Sequence, residues 1–266
     1  MARLALGIEY DGTAFMGWQR QSHAGRTVQG CIEVAIAKVA NHSVEITCAG
    51  RTDAGVHAAG QVAHFDTHAQ RSLRGWLLGL NSNLPADIAV NWVREAPAGF
   101  HARYHALARQ YRYTIINRLT RPAVGRAQAA WVHRSLDATR MQAAARHLLG
   151  EHDFSAFRAV ECQARSPVRT VHRIDVRREM ECVLIDVVAN GFLHHMVRNI
   201  AGVLIAVGEG RQDDDWSRRV LAGRDRTLGG VTAAPQGLCL MAVWYPPVYG
   251  IPVPEGALCN GLSVNL

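Results

Sequence analysis

The chain has 266 residues, 48% of them apolar and 19% charged, with a formal net charge of +7. That length holds one large or two small domains with enough core to fold unaided, and no apolar run reaches the length of a membrane span, so no membrane partner is expected. Lys38 is the only lysine, so the positive charge is arginine; guanidinium grips phosphate bidentately and suits a phosphate-rich partner, but an Arg-, Ala- and Gly-rich chain also arises from base composition, so charge alone proves no RNA contact.

Met1-Ala2-Arg3-Leu4 leads straight into a strand pattern, with no signal peptide, and a cytoplasmic location is expected. Leu4 to Tyr10 reads as a strand, Asp11-Gly12-Thr13 turns it, and a loop runs through His23-Ala24-Gly25-Arg26. Thr27 caps a helix whose stripe is Val28, Cys31, Ile32, Ala35, Ile36 and Val39. Ser43–Cys48 and Gly60–Asp66 alternate and carry β-branched or aromatic residues, as strands do. Ser72–Leu80 reads as a helix weakened by its glycines, and Ile88–Val93 as a strand.

The same order then recurs. Tyr111–Ile116 is a strand, Leu136–Leu149 a helix, Arg173–Val176 and Cys182–Val187 two strands, Phe192–Val207 a long helix, and Leu238–Trp244 a strand. An extra helix, Asp215–Leu221, precedes the last strand. The expected architecture is therefore α+β: two ferredoxin-like (RRM-like) β-α-β-β-α-β halves, 1–105 and 106–246, with 247–266 an irregular tail. The repeat is one of element order, not of residues.

Between the first half's middle strands lies Ala49-Gly50-Arg51-Thr52-Asp53-Ala54-Gly55-Val56-His57-Ala58. Glycine flanks it, and Arg, Asp and His are packed inside. A loop held by two strands can keep a carboxylate ionised and aimed; a plain polar hairpin turn has the same composition. Asp53 is the candidate nucleophile, with Arg51 two residues away favouring its charge. Tyr111, Tyr113 and Arg109 alternate and share one strand face, either as core packing or as an aromatic platform with a polar tip for an extruded base. Arg198 sits on the long helix with His194, His195 and Asn199, either solvated or facing a cleft. Pro235 and Leu238 wall a site or simply begin a strand.

His57, His64 and His195 invite a metal reading, but no His-Glu-x-x-His and no Cys/His ligand spacing occurs, so no metal is expected. No P-loop and no Gly-x-Gly-x-x-Gly opening a helix is present, so no nucleotide cofactor is implied. Six scattered cysteines, none in a Cys-x-x-Cys pair, read as small buried hydrophobes in a reducing compartment.

Gly50–Ala58 followed by Gly60-Gln61-Val62-Ala63-His64-Phe65 closely resembles the signature of the TruA family of tRNA pseudouridine synthases. Tyr10-Asp11-Gly12-Thr13 with Phe15, Gly17, Trp18 and Gln19 resembles its N-terminal motif, and Arg109-Gln110-Tyr111-Arg112-Tyr113 its Arg-x-Tyr-x-Tyr strand. Gly150–Phe154 with Phe157, Gly191–Asn199, and Ala234-Pro235 with Gly237-Leu238 complete the set. The resemblance implies a continuous antiparallel sheet with a central cleft. It implies Asp53 as the catalytic aspartate, Tyr111 as the active-site tyrosine and Arg198 as a basic residue near the carboxylate, with Arg51 as a further catalytic group. Arg109, His57 and Leu238 become substrate-binding candidates. It also implies a homodimer that isomerises uridine in the anticodon arm of tRNA, at tRNA positions 38–40, with no cofactor. An RNA-binding module without chemistry, or a small-molecule hydrolase using Asp and His, is the competing function; a pure binder has no need of the intact loop, and no ordered nucleophile motif supports the hydrolase.

Overall fold

The computed structural model describes residues 1–21 and 25–253. The first half contains β1 (Ala2–Tyr10), α1 (Val28–Ala40), β2 (Thr47–Cys48), β3 (His57–Thr67), α2 (Leu73–Asn83) and β4 (Ile88–Ala96). The second contains β5 (Ala108–Asn117), β6 (Ala130–Val132), α3 (Ala138–Arg146), β7 (Gly150–Asp153), β8 (Val168–Glu179), β9 (Cys182–Ala189), α4 (Met196–Gly208), α5 (Trp216–Gly223) and β10 (Leu238–Trp244). Of the expected tail, Pro247–Tyr249 form a single 3-10 turn, and residues 254–266 lie outside the described residues, as does His23-Ala24 of the first loop.

One mostly antiparallel sheet of ten strands runs β4-β1-β3-β10-β5-β9-β8-β7, with β2 on β3 and β6 on β5. With the additional β6 and β7 set aside, the four remaining strands of each half, counted in chain order, follow 4-1-3-2: β4-β1-β3-β2, then β10-β5-β9-β8. This is the α+β arrangement of ferredoxin-like halves that the element order predicts. The halves are joined by β3 and β10, which pair in parallel at Cys239↔His57 and Leu240↔Ala58.

Local chemistry sets the helices. Thr27 accepts from Gly30 N–H to start α1, Ser72 from Gly75 N–H to start α2, and Asp137 from Thr139 and Arg140 N–H to start α3. Asn41, left-handed at φ 60°, ends α1. Alternation puts Leu4, Leu6 and Ile8 of β1 in the core with Phe65 of β3, which meets Trp76 of α2 edge to face at 5.4 Å. Helix α4 is the most deeply buried; Ile200, Val203, Leu204 and Val207 are almost wholly covered, and each such side chain contributes about 1.5–3 kcal/mol of hydrophobic stabilisation. On the other face of β5, Arg112 donates from Nε and Nη2 to the fully buried carboxylate of Asp186, which Arg177 also contacts, tying β5, β9 and β8 together.

Three expectations are corrected. The second strand is two residues long, because Ser43–Ile46 makes no ladder. Strands β6 and β7 are additional. The long helix begins at Met196 instead of Phe192, because His195 takes φ 61° and breaks the helical run before it. Cys31, Cys48, Cys162, Cys182 and Cys239 are free thiols; burial pushes Cys48 up to about 12. Among the described residues no helix is long and apolar enough to cross a membrane.

Candidate active site

Parallel strands enter a sheet from the same end. The segments just before β3 and β10 therefore meet at the seam: Ala49–Val56 before one, Pro235–Gly237 before the other. They touch where Pro235 lies against Gly55, whose added Cβ would stand 3.2 Å from the proline Cγ.

The loop is pinned from every side. Ala49 N–H donates to Val62 O at 2.7 Å. The fully buried amide of Gln61 donates to Gly50 O at 2.6 Å and accepts from Gly50 N–H at 3.3 Å. Arg109 holds Ala49 O through Nε and Nη2, at 3.3 and 2.9 Å. Thr52 accepts from Trp18 N–H at 3.0 Å, and its hydroxyl pairs with the buried Tyr10 hydroxyl at 2.7 Å. Two glycines are required here. A Cβ at Gly12 would sit 2.0 Å from Val56 O, and Gly17 has φ 92° with a Cβ position 2.7 Å from Thr52 O. The N-terminal motif is thus the loop's support.

Asp53 stands at the top of this loop with its side chain 24% exposed. Its partners come from the other half. Arg198 Nη1 lies 3.6 Å from Oδ2, His195 Nε2 3.4 Å from Oδ2, and His194 Nε2 3.3 Å from Oδ1. Arg198 is itself fixed, because its Nε donates to Ala233 O at 2.8 Å and its carbonyl accepts from Ala233 N–H at 3.1 Å. Tyr113 donates to Ala234 O at 2.8 Å, so the segment that carries Pro235 to Gly55 also sets the guanidinium. Tyr111 is buried with its ring edge-on to Phe192 at 5.0 Å, and its hydroxyl lies 3.6 Å from where a Cβ on Gly50 would be. Burial, then the charge of Asp53, pushes the Tyr111 hydroxyl well above the usual phenol range. Burial pushes His195 below the usual imidazole range; Asp53 opposes this, and His194 and Arg198 add to it.

A profile described as tRNA pseudouridine synthase matches residues 7–105 and 144–246. A tRNA pseudouridine synthase A of Coxiella burnetii (strain Dugway 5J108-111) is 56% identical over 252 residues, covering 95% of this chain and 96% of that protein. The same-named protein of Methylococcus capsulatus is 57% identical over 249 residues, 94% and 92% of the two chains, and that of Vibrio cholerae serotype O1 (strain ATCC 39541 / Classical Ogawa 395 / O395) 53% over 257 residues, 96% and 97%. The chain belongs to the tRNA pseudouridine synthase family. Among solved structures, one described as a Cbf5-Nop10-Gar1 complex superposes with a TM-score of 0.37 at 12% identity over 89% of this chain and 57% of that one; the family assignment does not rest on this slight likeness.

A tRNA pseudouridine synthase is an isomerase acting on tRNA, and the candidates read from the sequence fall into distinct places on it. Asp53, Arg198 and Tyr111 come together at the seam. Arg51, in the same loop, is exposed and makes no hydrogen bond or ion pair among the described residues. Leu238 is 6% exposed, heads β10 and pairs in register with Tyr113.

Arg109 and His57, expected to contact substrate, are engaged by the protein's own backbone. Besides Ala49, Arg109 donates to Arg103 O, Ala106 O and Asn190 O, so its fork is spent on backbone carbonyls. The His57 ring is buried; Nδ1 accepts from Gly12 N–H at 3.0 Å and Nε2 faces Ala127 O at 2.8 Å. Asp11 Oδ1 lies 3.2 Å from the same Nδ1. Both residues hold the loop's surroundings.

The site also contains groups the sequence reading did not put there. His194 and His195 reach Asp53, and Gln61 clamps Gly50; the signal for Gln61 was a polar residue on the apolar side of a strand. Among the described residues, Asp53, His194 and His195 are the one set of potential metal ligands within 4.8 Å of one another. Arg198, a permanent cation beside the same carboxylate, competes with any metal for it.

Proposed function

We propose that this chain converts uridine to pseudouridine in the anticodon stem-loop of tRNA, at tRNA positions 38–40, with Asp53 as nucleophile, no cofactor, and a homodimer in the cytoplasm as the working form. The reaction breaks the N1–C1′ glycosidic bond and joins C1′ to C5. A proton leaves C5 and N1 gains one, so no electrons are exchanged and no redox group is needed.

The observation that carries this reading is Asp53 at the seam, with a guanidinium and a buried tyrosine hydroxyl converging on it from the other half. A half-buried carboxylate beside a fixed cation is a preorganised nucleophile. The target base must leave its stack to reach it. Tyr111 and Leu238 line the pocket for the base, while Arg51, exposed and without a hydrogen bond or ion pair among the described residues, takes the nucleotide's phosphate. Arg198 serves the carboxylate. Arg109 and His57 act on substrate through the loop that they support.

The test is incubation of unmodified tRNA with the protein, followed by mapping of carbodiimide-resistant adducts on uridine. Adducts in the anticodon arm with wild type, and none with Asp53→Asn at near-native tRNA affinity, are expected. Adducts elsewhere overturn the assigned position, and substantial turnover by Asp53→Asn, with deamidation excluded, overturns the nucleophile.

A further inference from the structure

The two histidines in front of α4 are an unusual way to begin a helix. A residue at this position ordinarily has extended backbone and lends a side-chain oxygen to the first free N–H groups. His195 does neither: it is left-handed, at φ 61° and ψ 4°, and makes no side-chain cap bond. Among the described residues, the other non-glycine residues with positive φ are Asn41 and Arg224, which end helices, and Met180 in the exposed hairpin turn between β8 and β9. Those are common uses of the conformation; the start of a buried helix is not.

The turn is held firmly in this shape. Ala159 N–H donates to His194 O at 3.0 Å, Met196 N–H to Leu193 O at 3.0 Å, and Asn199 N–H to His195 O at 2.9 Å. Its effect is to bring two consecutive rings to one side of the chain. The rings lie 4.1 Å apart, and each directs Nε2 at a different oxygen of Asp53, at 3.3 and 3.4 Å. Consecutive residues on a regular helix point about 100° apart and do not share a partner in this way.

We propose that His194 and His195 are positioning residues for Asp53, one imidazole set against each carboxylate oxygen. An ionised carboxylate only accepts, so each facing Nε2 carries its proton. The charged and titratable groups facing His195 are Asp53 from the loop, Arg198 and His194 from its own segment, and Glu161 from the segment after Phe157.

The role in catalysis rests on Asp53 being the nucleophile; the contact itself does not, and two kinds of measurement separate them. The first is an NMR titration of the free protein. Because the carboxylate favours imidazolium, Asp53→Asn lowers the midpoint of His195; an unchanged midpoint shows that the ring does not face Asp53 and overturns the proposal whatever the protein catalyses. The second is single-turnover isomerisation of tRNA. His194→Gln/His195→Gln should bind tRNA within about twofold of wild type and react about 10- to 100-fold more slowly. An unchanged rate overturns the proposal.

His195→Gly separates the ring from the backbone. Glycine suits the left-handed turn, so its melting temperature should equal or exceed that of wild type while the rate stays low. A restored rate would show that the turn, and not the ring, is what the site uses, and would overturn the proposal. Failure of wild type to modify tRNA would refute the proposed activity and leave the NMR measurement to decide the contact.

Discussion

Arg198 meets Asp53 across the seam: its Nη1 lies 3.6 Å from Oδ2 although the two residues belong to different halves of the sheet. Arg51, two residues from Asp53 in the loop, is turned to solvent. The guanidinium distant in sequence, and not the neighbouring one, is the carboxylate's partner.

That division gives opposite phenotypes. Arg198→Met should lower the single-turnover rate by about 100-fold, the scale of losing one preorganised electrostatic partner, with tRNA affinity nearly intact. Arg51→Met should weaken binding and reduce the slope of log affinity against log salt by about one, as expected for one lost phosphate contact. A large affinity loss in Arg198→Met with an unchanged rate would reverse the assignment.

Tyr111 packs against Phe192, and two substitutions separate that packing from the proposed chemistry. Tyr111→Phe keeps the ring against Phe192 and should fold and bind tRNA normally while turning over slowly. Tyr111→Ala leaves a hole in the core, costing about 3–5 kcal/mol of stability. It should also lose about 1–3 kcal/mol of base contact. Denaturant unfolding beside binding and rate measurements checks both; full activity in both variants would leave packing alone.

Gln61 is the loop's buried clamp. Gln61→Leu removes both amide hydrogen bonds to Gly50, at about 0.5–1.5 kcal/mol for each. We expect lower stability in urea and at least a tenfold loss of rate at near-native affinity. A wild-type rate would mean that the loop keeps its shape without the amide.

His64 makes stability sensitive to acid. It is 6% exposed, and Nδ1 accepts from Ala102 N–H at 3.2 Å. Burial, with Arg3 and His101 adding to it and Asp66 opposing, lowers its pKa from 6.5 to about 4. Above 6.5 the ring is neutral whether folded or unfolded. As pH falls from 6.5 towards 4 the unfolded chain takes up the proton first, so stability is lost across that window, on the order of 3 kcal/mol. Urea unfolding at the two ends of the window measures it. His64→Asn, which does not titrate, should lose less over the same window; an equal loss would place the acid sensitivity elsewhere.

Much of this was legible in the sequence for identifiable reasons. Alternation and helical stripes gave the β-α-β-β-α-β order, and the glycine-flanked loop drew attention to Asp53. Strands β6 and β7 were missed because Ala130–Val132 is too short to alternate and Gly150–Asp153 carries no apolar face. His194 and His195 were read as helical because Leu193-His194-His195 contains no capping residue to mark the boundary. Arg109 and His57 were read as substrate contacts because side-chain type is visible in a sequence while its partners are not. Alternation gives the face of a strand, but not that the Arg109 fork is filled by four backbone carbonyls.

The two-residue junction of β3 with β10 makes this enzyme a coincidence detector. A chain cut between the two halves would leave Asp53 on one fragment and Arg198, His194, His195 and Tyr111 on the other. Neither fragment would own a working centre, however well it kept its strands. Turnover would thus report reassembly of the fragments, and loosening at that junction would silence the enzyme before the bulk of the sheet came apart.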